Sequence, residues 1–332
     1  MAGMDAGLRE RIEWHARFTV EIRAFFTADG YAEVDTPILS PFLLPEPSIE
    51  VFETTYMPGR GAARQMWLAP SPELWMKRLV GRGSGRIFQV SRSFRNGDYG
   101  SPVHNPEFRL LEWYAEDRDN SESARDTERL FQHLIARGLC RGTEERLAPP
   151  FARFTMAEAF ARYAGLDLGA CQEVGALRAA CHDRGLDVGA DSTWEQAFHI
   201  AFLTLVEPRL PAERPLILSD YPSQIPTTAR SRPGTPWAER WELYAGGVEI
   251  ANCYTEETDP PTLRRLLEEE ARRQASARVV PVPDLGLADA FPPGAPACSG
   301  TALGVDRLEM LFRGEKTLEG VIFFPFSAMM AR

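Results

Sequence analysis

The chain switches repeatedly between two hydrophobic periods, and each switch marks an element. Trp14, Phe18, Ile22, Phe25 and Phe26 fall at three- and four-residue spacings, which predicts an amphipathic helix over residues 8–28. Asp29-Gly30 stops it, and residues 31–37 read as a short strand halted by Pro37. Residues 65–69 alternate as a strand. Ser71-Pro72-Glu73 then opens a helix to residue 79, with serine as cap, proline at the first helical position and Glu73 facing the dipole. Period two returns over 88–96 and 104–114. The turn formers Gly97-Asp98-Tyr99-Gly100-Ser101-Pro102 between them predict a long-looped hairpin.

Helical spacing follows at 121–139, 154–163, 174–184 and 193–206, so residues 117–212 read as a helical insertion within one domain spanning 1–332. Strands resume at 215–219, 239–245 and 248–256, the last two joined by a Gly246-Gly247 turn. A helix over 261–278 leads to a narrow strand through Gly300, Ala302 and Gly304, and a helix beginning near Val305. Residues 320–326 read as a final buried strand.

Composition narrows the class. The chain is 44% hydrophobic and 25% charged, ordinary for a soluble globular protein. A net charge of −10 argues against a broad nucleic-acid surface. Five cysteines without CxxC spacing favour reduced thiols, and residues 1–11 lack the apolar core of a signal peptide; both point to a cytoplasmic protein. No apolar run reaches the ~20 residues that span a bilayer.

Candidate chemistry gathers at the hairpins. Arg92 and Arg95 end the first strand of the long-looped hairpin, with Glu107, Glu112 and Tyr114 on the second. A guanidinium fork suits an anion such as phosphate, although a solvated surface hairpin carries the same pattern. Plain helix capping accounts equally for Ser71 and Glu73. Period two puts Glu249 on the face opposite Asn252 and Glu256, so a shared site requires a bulge or twist. Arg307, in the first turn of a helix, opposes the dipole and calls for a compensating anion.

Together three segments resemble, in order, the three motifs of class II aminoacyl-tRNA synthetases. Gly30 to Pro37 resembles motif 1. Phe94-Arg95-Asn96 with His104-Asn105-Pro106-Glu107-Phe108 resembles motif 2, and Gly300-x-Ala302-x-Gly304-x-x-Arg307 resembles motif 3. The segments 104–114 and 249–256 are similar to lysyl-tRNA synthetases. An anticodon-binding OB-fold is not expected, because the matching core begins almost at Met1. The match is closest to the truncated lysyl-tRNA synthetase paralogues that attach β-lysine to elongation factor P.

The resemblance implies an α+β fold, an antiparallel sheet flanked by helices, and a homodimer formed through motif 1. It implies ATP and Mg²⁺ as cofactors, with lysine or (R)-β-lysine activated as an adenylate and passed to a lysine ε-amine of elongation factor P. Stable tRNA binding is not implied. Arg95 would hold the α-phosphate, Arg307 the far phosphates, and Glu249 the metal. Asn96, Gly97, Asp98, His104, Asn105, Phe108, Ile250 and Gly304 would complete the ATP site. Ser71, Pro72, Glu73, Tyr114, Asn252, Tyr254, Glu256, Gly300 and Ala302 would hold the amino acid. Ala302 stands where tRNA synthetases usually have glycine, a change that goes with β-lysine preference and is worth about 1 kcal/mol. The sequence departs from the family where an acidic residue follows Arg-Asn. Gly97 stands there with Asp98 next, and Pro102-Val103 replaces the arginine-like residue before the histidine. An enzyme with another amino acid or a tRNA acceptor, and a non-catalytic regulatory paralogue, are the alternatives.

Overall fold

A computed structural model describes residues 6–97 and 101–331. The first apolar stripe forms α1 (Ala6–Ala28), which buries Phe18, Ile22 and Phe26 completely. Gly30 takes φ +82° to end it. The chain then lays down β1 (Ala32–Glu33) and a small sheet of β2 (Leu39–Ser40), β3 (Phe52–Tyr56) and β4 (Arg64–Leu68) in the order β2-β4-β3. Helix α2 (Glu73–Val80) precedes the hairpin of β5 (Ile87–Phe94) and β6 (Glu107–Glu116). Helix α3 (Asn120–Ala136) follows, its start fixed by an Asp119/Glu122 capping box, with the short α4 (Glu144–Leu147) after it.

The rest comprises β7 (Ala152–Thr155), α5 (Met156–Ala159), α6 (Val174–His182), α7 (Trp194–Ala201), β8 (Leu216–Pro222), β9 (Trp237–Ala245) and β10 (Val248–Thr255). Then come α8 (Pro260–Gln274), β11 (Cys298–Gly304), α9 (Val305–Arg313) and α10 (Phe326–Met330). Eight strands make one sheet in the order β1-β5-β6-β11-β10-β9-β8-β7. Its interior is antiparallel, and only the outer pairs β1–β5 and β7–β8 are parallel. This is the α+β class expected.

The sheet's two faces divide the labour. One carries Phe88, Leu111, Trp113, Trp241, Leu243, Ala251 and Leu303 into the main core, closed by Phe18, Phe26, Phe131 and Phe312 from α1, α3 and α9. The other face presents Glu112, Tyr114, Glu242 and Asn252, where period two alternates away from that core.

Two expectations fail. Residues 152–155 are a strand rather than the start of a helix, and β7 extends the large sheet beside β8. The Thr155 side chain accepts a hydrogen bond from Glu158 N, so the helix starts only after that cap. The insertion is thus not wholly helical: α3 belongs to the main core, while α5 to α7 build a second core on Leu216, Leu218 and Tyr221 of β8. The tail is not a strand either. It forms a 3-10 turn at Leu318–Gly320 and then α10, whose Phe326 N is held by Asn105 Oδ1 at 2.9 Å. Phe324 is 78% exposed, so its apolar run marks no buried strand.

Candidate active site

Strand β10 carries the bulge that the sequence required. Glu249 pairs with Tyr244, but the next partner pair is Ala251–Leu243, so Ile250 is an extra residue. Ile250 and Ala251 therefore both turn into the core, each 2% exposed. Glu249, Asn252 and Tyr254 are left together on the open face. The Ile250 side chain consequently does not line that face, and only its backbone borders the site, its carbonyl 3.8 Å from a Cβ built at Gly304.

Beside β10, β11 forms a floor of small residues. Gly300 pairs with Tyr114 on one side and Tyr254 on the other; Ala302 pairs with Glu112 and Asn252. A Cβ at Gly300 would come within 2.4 Å of both Glu256 Oε1 and Tyr114 Cε1. Here only glycine fits. At Gly304 the nearest atom to an added Cβ is Arg307 Cδ at 3.6 Å, an ordinary contact.

One end of this floor is acidic and dry. Lys77 Nζ lies 2.6 Å from Glu73 Oε1 and 2.7 Å from Glu256 Oε2, and it donates to Thr228 Oγ1 at 2.7 Å. Tyr114 donates to Glu112 Oε2 at 3.2 Å, and Tyr254 to Glu73 Oε1 at 3.4 Å. Glu112 Oε1 and Glu256 Oε1 are buried with no hydrogen-bond partner. Burial, reinforced by the neighbouring Glu73, pushes the Glu46 carboxyl up to about 7 and Glu112 well above its ordinary range. Glu256 is pushed up to about 7 by burial, which the Lys77 charge only partly offsets. Burial pulls the Lys77 ammonium down, but Glu256 and Glu73 outweigh it and hold it charged. Three carboxylates, Glu73, Glu112 and Glu256, thus lie around one ammonium, and Glu46 beside them feels Arg95 as well as Lys77.

The opposite end is basic. The Arg95 guanidinium lies 5.3 Å from the centroid of the Phe108 ring, and its Nε is buried without a partner. Arg307 donates to the Val103 carbonyl at 3.1 Å, to the Glu249 carbonyl at 2.8 Å, and to His104 Nε2 at 2.8 Å. Arg307 therefore ties motif 2, the bulge and α9 together. Asp306, in the same turn, accepts from Arg109 N and Nε at 2.7 Å and is paired with that arginine. Glu249 is pushed up to about 7 by burial and then by Glu242, against the pull of Arg307, Arg240 and Arg95. Both Glu242 oxygens already accept bonds, from Arg240 at 2.7 Å and from Tyr221 and Tyr244. Asn252 accepts from Arg240 Nε at 3.0 Å.

Other expected residues sit differently. Pro72, not Ser71, precedes the first residue of α2, and no side chain caps that helix. Capping therefore does not account for Ser71, which lines a small cavity with Leu44, Glu46, Ala69, Leu74 and Trp75. Asn105 is spent on structure, donating to the Glu107 carbonyl at 2.6 Å and accepting from Phe326 N. Arg92 forms a half-exposed pair with Glu107 at 3.7 Å. Asn96 N donates to the Glu50 carbonyl at 2.8 Å, and Gly97 takes φ +85°. Asp98 lies outside the described residues.

Sequence reasoning missed Lys77 and Glu242, and it placed Glu112 on the hairpin without assigning it to the amino acid site. Signals existed: Lys77 follows Glu73 by one helical turn, Glu112 precedes Tyr114 by one strand period, and Glu242 stands across from Asn252.

Among the described residues no cluster of three or more His, Cys, Asp or Glu could hold a metal by itself. Mg²⁺ usually needs only one or two carboxylates beside substrate phosphates, and the half-buried Glu249, beside the buried Glu242 and among Arg307, Arg240 and Arg95, fits that demand. Among the described residues no helix is long and apolar enough to cross a membrane. Residues 2–328 match the family described as tRNA synthetases class II (D, K and N). Over 309 residues the chain is 35% identical to the "Elongation factor P--(R)-beta-lysine ligase homolog" of Aquifex aeolicus (strain VF5), covering 92% of this chain and 96% of that protein. The antiparallel sheet, its motif 2 hairpin and the motif 3 strand and helix are thus those of an ATP-dependent ligase, and the chain belongs to the class II tRNA synthetases.

Proposed function

We propose that the chain uses ATP and Mg²⁺ to activate lysine or (R)-β-lysine as an acyl-adenylate, then passes the acyl group to the ε-amine of a lysine on elongation factor P. The observation that carries this reading is the charge imbalance of the dry pocket. Glu73, Glu112 and Glu256 face one ammonium, and Oε1 of Glu112 and of Glu256 are buried with no partner. Buried acceptors of this kind cost free energy until a donor reaches them. A diammonium amino acid supplies that donor, whereas a neutral side chain leaves the oxygens orphaned.

In this reading the substrate carboxylate lies over the β11 floor and points at Arg95. Its oxygen attacks the α-phosphorus, the bond to the bridging oxygen breaks, and pyrophosphate leaves with the electron pair. Arg95 stabilises charge growing on the α-phosphoryl oxygens, while Arg307 holds the departing end. Glu249, assisted by Glu242, would hold Mg²⁺, which when bound neutralises phosphate charge. In the second half an acceptor amine attacks the acyl carbon and loses a proton, and AMP departs. The acidic balance of −10 favours a protein acceptor over tRNA, whose phosphates need a basic face. The exposed Leu8, Ile12 and Val20 of α1 favour a second copy of this chain against motif 1, and the reduced buried cysteines favour the cytoplasm.

ATP–pyrophosphate exchange tests the reading. Exchange is expected with lysine or (R)-β-lysine and not with norleucine, followed by transfer of label to elongation factor P. Exchange with none of them sinks the proposal; transfer to tRNA alone replaces the acceptor.

The acid cluster also sets a pH dependence. Glu46 and Glu256 titrate at about 7 when folded, against an ordinary carboxyl near 4.3. The folded state therefore holds more protons between those values, and stability falls as pH rises through them. The melting temperature without amino acid is expected to drop from pH 6 to pH 8, and saturating lysine to shrink that drop. A flat profile would remove the cluster as a titrating unit. Because the ammonium needs ionised carboxylates, lysine affinity rises over the same range.

A further inference from the structure

Resting on the diamino-acid reading, the acidic pocket contains a cation of the protein's own, and its attachment decides what it is for. Lys77 rises from α2 and is 2% exposed. Its ammonium donates to Glu73 and Thr228, pairs with the charge of Glu256 at 2.7 Å, and lies 5.2 Å from the centroid of the Tyr254 ring. We propose that Lys77 is a permanent internal ammonium that fixes Glu73 and Glu256, leaving Glu256 Oε1 and Glu112 Oε1 to read the substrate's side-chain ammonium. It is a positioning residue, not a placeholder that the substrate displaces.

Two observations separate these roles. Lys77 and Glu73 are one turn apart on the same helix, so the pair is built into α2 before any ligand arrives. The two orphaned oxygens belong to carboxylates 1% and 2% exposed, and neither oxygen is one that Lys77 meets. A second cation thus finds acceptors of its own. The groups facing Lys77 and its carboxylates are Glu46 from the loop before β3, Glu73 from α2, Arg95 just past β5, Glu112 and Tyr114 from β6, Tyr254 and Glu256 from β10 and its end, Glu270 from α8, and Cys298 from β11. Removing the ammonium takes away the cation acting on Glu112 and Glu256, while Arg95 still acts on Glu46. Glu256 would then hold its proton to higher pH, since Lys77 is what lowers it.

The test compares Lys77→Met, Lys77→Arg and Thr228→Val with the natural chain in ATP–pyrophosphate exchange with lysine. Lys77→Met is expected to raise KM for the amino acid about 10-fold or more, with kcat within a few-fold and KM for ATP unchanged. The acid limb of kcat/KM for lysine is expected to move to higher pH. Lys77→Arg keeps the charge and should keep the limb in place while only partly restoring KM. Thr228→Val removes one anchor without a charge and should raise KM several-fold if Lys77→Met does not fold. An unchanged or lower KM in Lys77→Met would show that substrate displaces the lysine and overturn the proposal. Loss of ATP affinity in step with amino acid affinity would make Lys77 a fold element only and would overturn it as well. The functional reading stands or falls on the natural chain alone, and the Lys77 assignment on the ratio of variant to natural chain.

Discussion

Arg307→Ala is expected to lower ATP–pyrophosphate exchange by about 10³-fold or more, because a guanidinium on departing phosphates is worth that much in phosphoryl transfer. Within the chain this side chain holds the Val103 and Glu249 carbonyls and His104. None of these contacts is in the main core, whose members on α9 are Val305, Leu308 and Phe312. The melting temperature should therefore change little while activity is lost. Arg307→Lys should recover only a small part, since an ammonium cannot reproduce the fork that reaches three acceptors at once. Exchange within ten-fold of the natural chain in Arg307→Ala would detach α9 from phosphate chemistry.

Gly300→Ala is expected to damage the other end of the site. The added methyl would sit 2.4 Å from Glu256 Oε1 and from Tyr114 Cε1, and both neighbours are buried with nowhere to retreat. Overpacking of this kind costs about 1–3 kcal/mol, or about 5- to 150-fold in affinity. KM for lysine should rise by that factor while nucleotide binding, measured by calorimetry with a non-hydrolysable ATP analogue, is retained. Gly304→Ala is the control: its nearest contact would be an ordinary 3.6 Å, so its effect on KM should be small. Equal effects of the two substitutions would mean that β11 is not the floor of the amino acid site.

Arg307 and Gly300 belong to a strand and helix whose order is legible in the sequence. Apolar spacing reports local backbone geometry, so α1, the β5–β6 hairpin, the β9–β10 hairpin and the β11–α9 unit fall close to where their periods put them. Spacing fails where a local signal has two outcomes. Phe154 and Tyr163 fit a helical stripe, but Thr155 caps a later helix and the residues before it join a strand. The tail's Phe323, Phe324 and Phe326 look like a buried strand, yet among the described residues no strand pairs with them.

The candidate site divides the same way. Arg95, Glu249 and Arg307 stand out in the sequence because motif spacing is a linear property. Nothing linear says whether Glu249 shares a face with Asn252 and Tyr254. That depends on a one-residue bulge against β9, which turns Ile250 into the core and Glu249 out of it. Lys77 looks like one more helical lysine, and only the approach of β10 to α2 makes it a buried counterion. By itself the sequence determined the periods, the motifs and hence the family, because those are set by neighbours along the chain. The tertiary structure decided which carboxylates lose water and which lose a partner, because desolvation and pairing depend on residues brought together from 46, 73, 112 and 256.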